Sequence, residues 1–447
     1  MDEVTSLLDE RTGLVAELRP HRLHPRLPAA LRMWTARLAD SQQFTPWPSD
    51  PVTTGCTWSD DTQARMAALG EAVERYCGAL IPPGLTRVTA VQLRARGHRV
   101  LDLAALALFS AGQYRTPGFP FVAFEPDLPV RWVSGCDLAT GELCAVPASL
   151  VYTTFHRGLP GRDGLLPYGD EPPTSPVPYA GLAAGRSREQ AELAALLELI
   201  ERDAVTRSWL RGQQWPEIEL PAALDNLFRG PHEALRVRLF HVPDAVGVPV
   251  LAALVEDLVT DLLALGTAAR PDPRRAALKA VAEAVQLHLM LHELDDRGSA
   301  LMRMARTHAG CPLRPWRADH RYRASYRSDW RDVRDLACQL QLYLDPAMRA
   351  ALRERMAGRP TIPLASLPTS PAASARDLVQ ALIRIGIHPV KVDVTTSDVR
   401  RAGWWAVRVV AAGLYPNTPA AFPPLGGRRL REKEWTLMES PLPLPYA

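Results

Sequence analysis

From Asp60 to Gly78 the chain reads DDTQARMAALGEAVERYCG, with acids at its head and apolar side chains at Met66, Leu69, Val73 and Tyr76 or Cys77. Spacing of three to four residues predicts an amphipathic helix, and the leading carboxylates suit the positive end of its dipole. A longer run, SREQAELAALLELIERDAVTRSWLRG, starts at Ser187, carries Gln190 at the capping-box position and sets Leu193, Leu196, Leu197 and Ile200 on one side. It predicts a second helix. A third, DPRRAALKAVAEAVQLHLMLHEL, is started by Pro273, a residue suited to the first helical turn.

Elsewhere the pattern shortens. Between Arg99 and Thr154, runs such as RWVSGCDL, ELCAVPA and LVYTTF alternate with Gly and Pro and predict a meander of strands. Strands are also predicted around Val237 to Val255 and in GIHPVKVDVT and WWAVRVVAAGL. Residues 158 to 179 are rich in Gly and Pro and predict a long loop of the kind that borders functional sites. Residues 1 to 50 hold Pro20, Pro25, Pro28, Pro46 and Pro48, which predicts a helix or two and then an irregular arm, available for contact with a partner. The fold class is mixed α/β. No period of 20 to 50 residues repeats and no clean linker cuts the chain, so residues 51–447 are expected to form one unit.

A chain of 447 residues that is 47% hydrophobic can bury a real core. Its formal net charge of +3, from 52 basic and 49 acidic residues, gives no strong field toward nucleic acid or a membrane surface, so neither is the expected partner. Lysine occurs only at Lys279, Lys391 and Lys433, and none follows a Gly-rich loop. A P-loop is therefore excluded, and an anion would be held by arginine, backbone amides or metal. Cys56, Cys77, Cys136, Cys144, Cys311 and Cys338 show no disulfide or zinc-ligand spacing and read as reduced core thiols. None of the eleven histidines sits in a catalytic pattern. The N-terminus lacks a signal-peptide layout, and the apolar stretch Val246 to Leu265 is broken by Glu256, Asp257 and Asp261, which excludes an ordinary membrane span and predicts a cytoplasmic location.

Each predicted helix carries a polar pair three residues apart: Glu71 and Glu74, Glu198 and Glu201, Glu283 and Gln286. Such pairs share one helix face. The first two are flanked by apolar residues, and carboxylates beside a core are costly unless paired or metal-bound. Spacing leaves two readings open. Arg75 and Arg202 can neutralise them in core salt bridges, or carboxylates from two helices can hold Mg2+ against the phosphates of ATP.

In this order, GEAVERYCG, GLAAGRSREQAELAALLELIERDA and DPRRAALKAVAEAVQ closely resemble the YcaO superfamily, as do GCDLATGELCAVPASLVY, VDVTTSDVRRAGWWAVRVVAAGL, PPLGGRRL and the Pro-rich C-terminus. The resemblance covers about residues 51–447. It implies a YcaO-type mixed α/β fold that binds ATP and Mg2+ through glutamate-bearing helices and phosphorylates an amide oxygen of a ribosomally made peptide. By motif, Glu71, Glu74, Glu198 and Glu201 would hold metal, Arg202 would meet phosphate, and Glu283 and Gln286 would belong to the same nucleotide site, with Arg75 beside it. Gln190 lies about 16 Å up the helix from Glu201; it would meet the ribose, or serve only as the capping residue. Arg186, beside it, departs from the small polar residue of the family pattern, and Ala412 stands where relatives have Pro before Gly413.

The terminal PLPLPYA, with Pro441, Pro443 and Pro445, should be extended and stiff. In the azoline-forming branch of the family such a tail is associated with cyclodehydration. The resemblance therefore implies a cyclodehydratase of natural-product, including antibiotic, biosynthesis. In it Cys, Ser or Thr of a precursor peptide becomes a thiazoline or oxazoline, with Pro443 and Pro445 at the catalytic end and the carboxylate of Ala447 as candidate base. Thioamide- or amidine-forming relatives would share the ATP residues. A non-catalytic peptide-binding subunit is the alternative of another class. Residues 1–50 are too few for a leader-peptide-binding domain, so a separate E1-like (ThiF-like) partner is expected, and a homodimer stays open.

Overall fold

The computed structural model describes residues 6–43, 45–157, 168–230, 233–307, 311–430 and 441–446. Three sheets and three long helices carry the architecture. β1 (Val15–Pro20), β2 (Leu31–Leu38) and β3 (Val52–Trp58) make an antiparallel sheet in that order. The helix or two expected in the first fifty residues are thus replaced by strands: in LRMWTARL, Leu31 and Met33 are buried on one face of β2 and Ala36 and Leu38 on the other, in two different parts of the core. α1 (Asp61–Ala79) follows, its first turn held by the Asp60 side chain, which accepts from the Gln63 N–H.

β4 (Arg87–Val88), β5 (Val130–Asp137), β6 (Leu143–Pro147) and β7 (Leu182–Gly185) belong to a second sheet. Only the later half of the predicted 99–154 meander is regular strand. Of the predicted 158–179 loop, residues 158–167 lie outside the described residues and the rest holds turns without a regular element. α2 (Arg188–Leu210) comes next. β8 (Glu217–Glu219), β9 (Leu235–Val242), β10 (Val250–Asp257) and β11 (Leu263–Ala269) then build the third sheet, which α3 (Pro273–Asp295) covers. The apolar stretch Val246 to Leu265 is the heart of this sheet: β10 and β11 are buried along nearly their whole length, and its acids fall at the hairpin end. Among the described residues no helix is long and apolar enough to cross a membrane.

A short helix, α4 (Leu336–Leu342), precedes β12 (Thr361–Pro363), which pairs parallel with β8 and completes the order β11-β10-β9-β8-β12. β13 (Pro389–Asp393) and β14 (Trp405–Ala411) complete the second sheet, ordered β4-β5-β13-β14-β7, with β6 on β5. Each long helix packs on strands of two sheets: α1 on β2 and β3 and on β7, α2 on β7 and β14 and on β11, α3 on β10 and β11 and on β3. All six cysteines are free, and four are buried.

Glycine permits the closest of these contacts. A Cβ on Gly266 of β11 would stand 2.2 Å from the Ala284 nitrogen and 2.4 Å from the Ala280 carbonyl of α3, and one on Gly55 of β3 would meet α1 backbone equally closely. These contacts set the height of α1 and α3 over their sheets. Gly266→Val is expected to destabilise the protein by about 3 kcal/mol, read as a lower urea midpoint; an unchanged midpoint would show that α3 does not press on β11.

Candidate active site

The polar pairs of three helices come together because α1 and α2 share β7 and β14, while α2 and α3 share β11. On α1, Glu71 accepts from Nε and Nη2 of Arg75 at 2.8 and 2.7 Å, and Arg75 also reaches Asp50 at 3.6 Å. On α2, Glu198 accepts from the Gly181 N–H at 2.9 Å and from Arg202 Nη2 at 3.3 Å. Glu201, 6% exposed, accepts from Arg202, from the Thr267 hydroxyl at 2.5 Å and from the Ala269 N–H at 3.2 Å. On α3, Glu283 pairs with Lys279. Arg75 and Arg202 thus form the salt bridges that spacing allowed.

Glu74 differs. Among the described residues no hydrogen bond or ion pair holds its carboxylate. Burial, reinforced by the charges of Glu71 and Glu198, pushes its pKa well above the ordinary carboxylate range. Burial raises Glu198 as well, against the pull of Arg202 and the Gly181 N–H. Glu283 goes the other way, since Lys279 outweighs the burial that would raise it. Two helices that share β7 and β14 therefore present crowded, incompletely neutralised carboxylates, the setting in which pKa shifts mark functional groups.

Arg408 of β14 walls this region and is fully buried. Its Nε donates to the Val151 carbonyl at 3.0 Å, and Nη1 donates to Tyr179 and Ala180 at 3.1 and 2.7 Å. Nη2 has no partner among the described residues. Burial lowers its pKa to about 10, with Glu198 and Glu74 opposing the shift, so it remains a cation at neutral pH. A charged residue in the apolar run WWAVRVVAAGL was the signal available in sequence.

The described part of the tail, residues 441–446, ends beside the glutamates. Trp209 donates to the Leu442 carbonyl at 2.7 Å, the Tyr343 hydroxyl to Pro443 at 2.5 Å, and the Gln339 amide to Leu444 and Tyr446 at 3.1 and 3.3 Å. Pro443 and Pro445 are buried. The Arg202 guanidinium lies 4.3 Å from the centre of the Tyr446 ring. Burial raises the Tyr446 phenol above its usual range while Arg202 opposes, and its hydroxyl meets Thr267. Ala447 lies outside the described residues. Alongside the tail opens a cleft of about 610 Å3, lined by Phe119, Trp330, Asp332, Gln339, Phe422 and Leu444 among others. Tyr446 and Thr267 were not singled out in sequence; the hydroxyl–carboxylate contact spans 66 residues.

Other predicted residues stand elsewhere. Gln190 performs the capping role: its N–H donates to Ser187 Oγ at 3.2 Å, and its side-chain oxygen accepts from the Arg186 N–H at 3.0 Å. The Arg186 guanidinium donates to the Ala402 carbonyl at 3.0 Å and lies over Trp404. Gln286 turns to Thr54 of β3, at 2.9 Å, while Glu283 adds to the field at Arg202. Clustered carboxylates suit a hard divalent cation, and the spare donor of Arg408 suits an anion that the cation bridges.

Helix-borne carboxylates, arginines and a proline-rich segment are thus gathered on a mixed α/β frame. The chain belongs to the YcaO family: the family model described as YcaO cyclodehydratase, ATP- and Mg2+-binding, matches residues 58–415. A solved structure described as a heterocyclase in complex with substrate and cofactor is similar over the whole chain, at 20% identity and TM-score 0.65, and the chain spans 57% of it. The structure of YcaO from Methanopyrus kandleri bound with AMPPCP and Mg2+ is similar over 91% of this chain and 89% of its own, at 22% identity and TM-score 0.56. These likenesses establish the YcaO-type fold. An uncharacterised protein from the tfuA 3' region of Rhizobium leguminosarum bv. trifolii is 25% identical over 298 residues, 60% of this chain and 65% of its own length.

Because Glu74 and Glu198 resist ionisation in the folded protein, the metal-free protein loses stability as pH rises above the ordinary carboxylate pKa, where only the unfolded chain ionises freely. A cation at these groups restores what is lost. Stabilisation by Mg2+ is therefore expected to grow between about pH 5 and pH 8, and Glu74→Gln to raise the metal-free melting temperature by about 1–2 °C while removing that growth. Melting curves across pH with and without Mg2+ check this; a Mg2+ effect that is flat with pH would separate the metal from these carboxylates.

Proposed function

We propose that the chain is an ATP-dependent cyclodehydratase that converts Cys, Ser or Thr of a ribosomally made precursor peptide into thiazoline or oxazoline. One observation carries this branch of the family: the proline-rich tail ends at Arg202, with Tyr446 stacked on the cation that Glu198 and Glu201 hold. In this reading Glu71, Glu74, Glu198 and Glu201 hold Mg2+, and Arg408 and Arg202 face the polyphosphate. The crowding at Glu74 and Glu198 suits a site for a cation. The peptide enters along the cleft beside the tail.

The substrate side chain adds its sulfur or oxygen to the preceding amide carbonyl carbon and gives up its proton to a base. ATP supplies the phosphoryl group that the resulting oxyanion accepts, releasing ADP. The C–O bond then breaks, phosphate leaves with its electron pair, and loss of the amide proton completes the C=N bond. The net products are azoline, ADP and phosphate. Arginines already in place and a dry, preorganised wall would stabilise charge developing on the phosphoryl oxygens. A separate leader-binding protein would deliver the peptide, and the reaction would run in the cytoplasm.

A second reading has its own observation. Arg75, Arg202 and Lys279 already pair with Glu71, Glu198, Glu201 and Glu283, as they would in a non-catalytic peptide-binding subunit. Calorimetric titration with a non-hydrolysable ATP analogue separates the two. The enzyme reading expects Mg2+-dependent binding, weakened at least about tenfold in Glu198→Gln, since one metal ligand is worth no less than an outer partner. No binding by the folded wild-type protein would favour the subunit. Deleting residues 441–447 is expected to slow azoline formation by about 100-fold or more, the scale of losing a positioning element, while analogue binding persists. Product mass, lower by one water per ring, reports the first; thioamide or amidine products would redirect the assignment within the family.

A further inference from the structure

A second polar cluster lies at the other end of the β10–β11 hairpin. Glu201 binds Thr267, which pairs with Ala252; Asp257 is five residues further along β10, about 17 Å away. There Asp257 meets His288 and His292, one turn apart on α3, and one ligand atom from each residue lies within 4.8 Å of the other two. The imidazole centroids are 4.6 Å apart at 82°, and Nε2 of His288 is 3.5 Å from Asp257 Oδ2.

His288 is 2% exposed, yet neither ring nitrogen has a hydrogen-bond partner among the described residues. Unsatisfied buried polar atoms are disfavoured, and native structures leave few of them. Burial also drives the His288 pKa down to about 4 and lowers that of His292, so both rings are neutral, the form that ligates metal. Asp257 is held for the same task. Its Oδ1 accepts the Val259 and Thr260 N–H groups at 2.8 and 3.1 Å, which leaves Oδ2 toward His288. The nearest cation, Arg26, stands on the Oδ1 side at 3.8 Å. His24 and Asp295 are the other titratable groups acting on His292.

We propose that Asp257, His288 and His292 form a site for a Zn2+-class divalent ion, with a fourth position open to water or another ligand. Two imidazoles and a carboxylate are a recurrent zinc ligand set, and a 2.0–2.2 Å coordination shell requires only that the three side chains close slightly on one point. A histidine pair at i,i+4 presents two rings on one helix face without backbone movement. The ion clamps α3, the helix that also carries Glu283, to the β10–β11 hairpin. Two of its three ligands are borderline nitrogen donors, unlike the all-oxygen set of the glutamate cluster, so the two sites select different metals.

The test uses the full chain, stripped with chelator and titrated with Zn2+ or Co2+ in excess Mg2+ to occupy oxygen-rich sites. Expected are one ion per chain and a visible Co2+ spectrum without a thiolate charge-transfer band. His292→Ala, at a half-buried position that leaves the core intact, should bind at least about tenfold more weakly. Asp257→Asn, which keeps the turn contacts, should also weaken binding. No uptake by the folded wild-type protein, equal uptake by the folded variants, or a thiolate band pointing to the free cysteines would each overturn the proposal.

Discussion

Negative charge gathered where two helices share the strands β7 and β14 is the constraint on which this structure turns. α1 and α2 are each gripped by two sheets, so Glu74 and Glu198 face one another with too little cationic charge between them. The protein supplies part of the balance from its own arginines, which line the cluster from three elements, and lets the rest stand as raised pKa values. Such an arrangement costs stability in the absence of a cation and gives selective affinity in its presence. Glycines at the helix–sheet contacts let α1 and α3 sit close on their strands.

The tail belongs to the same logic. An extended segment without regular hydrogen bonding has carbonyl groups to satisfy, and side chains on α2 and around α4 donate to those of Leu442, Pro443, Leu444 and Tyr446. Proline suits this place because it offers no N–H to leave unpaired and holds the chain extended. The final aromatic ring then covers Arg202. Arg202 is thereby fixed among Glu198, Glu201, Thr267 and Tyr446, and a guanidinium so held loses little freedom when an anion arrives.

The capping of α2 shows how a residue answers a local demand. Gln190 binds the Arg186 N–H and Ser187, and Arg186 is tied to the Ala402 carbonyl. The end of α2 far from Glu201 is thus stapled to the turn before β14, which orients both elements that carry charge into the cluster. Glu192, farther along α2, pairs with Lys391 of β13 and adds a second tie to the same sheet.

Much of the frame was written in local pattern. Asp60, Ser187 and Asp272 begin the three long helices as their side chains require, and the same-face placement of Glu71 with Glu74 and Glu198 with Glu201 follows from helical geometry alone. Ordered motifs identified the family for the same reason, since they record local sequence. The first fifty residues misled because prolines flank strands there without entering their ladders except at the end of β1. Tertiary structure decided the partners: that Arg202 meets Tyr446 of the tail, that Arg408 is buried with a spare donor beside Glu198, that Gln286 turns to Thr54, and that Asp257 meets His288 and His292. Those contacts join residues tens to hundreds of positions apart, and periodicity along a chain carries no information about which distant faces a fold will press together.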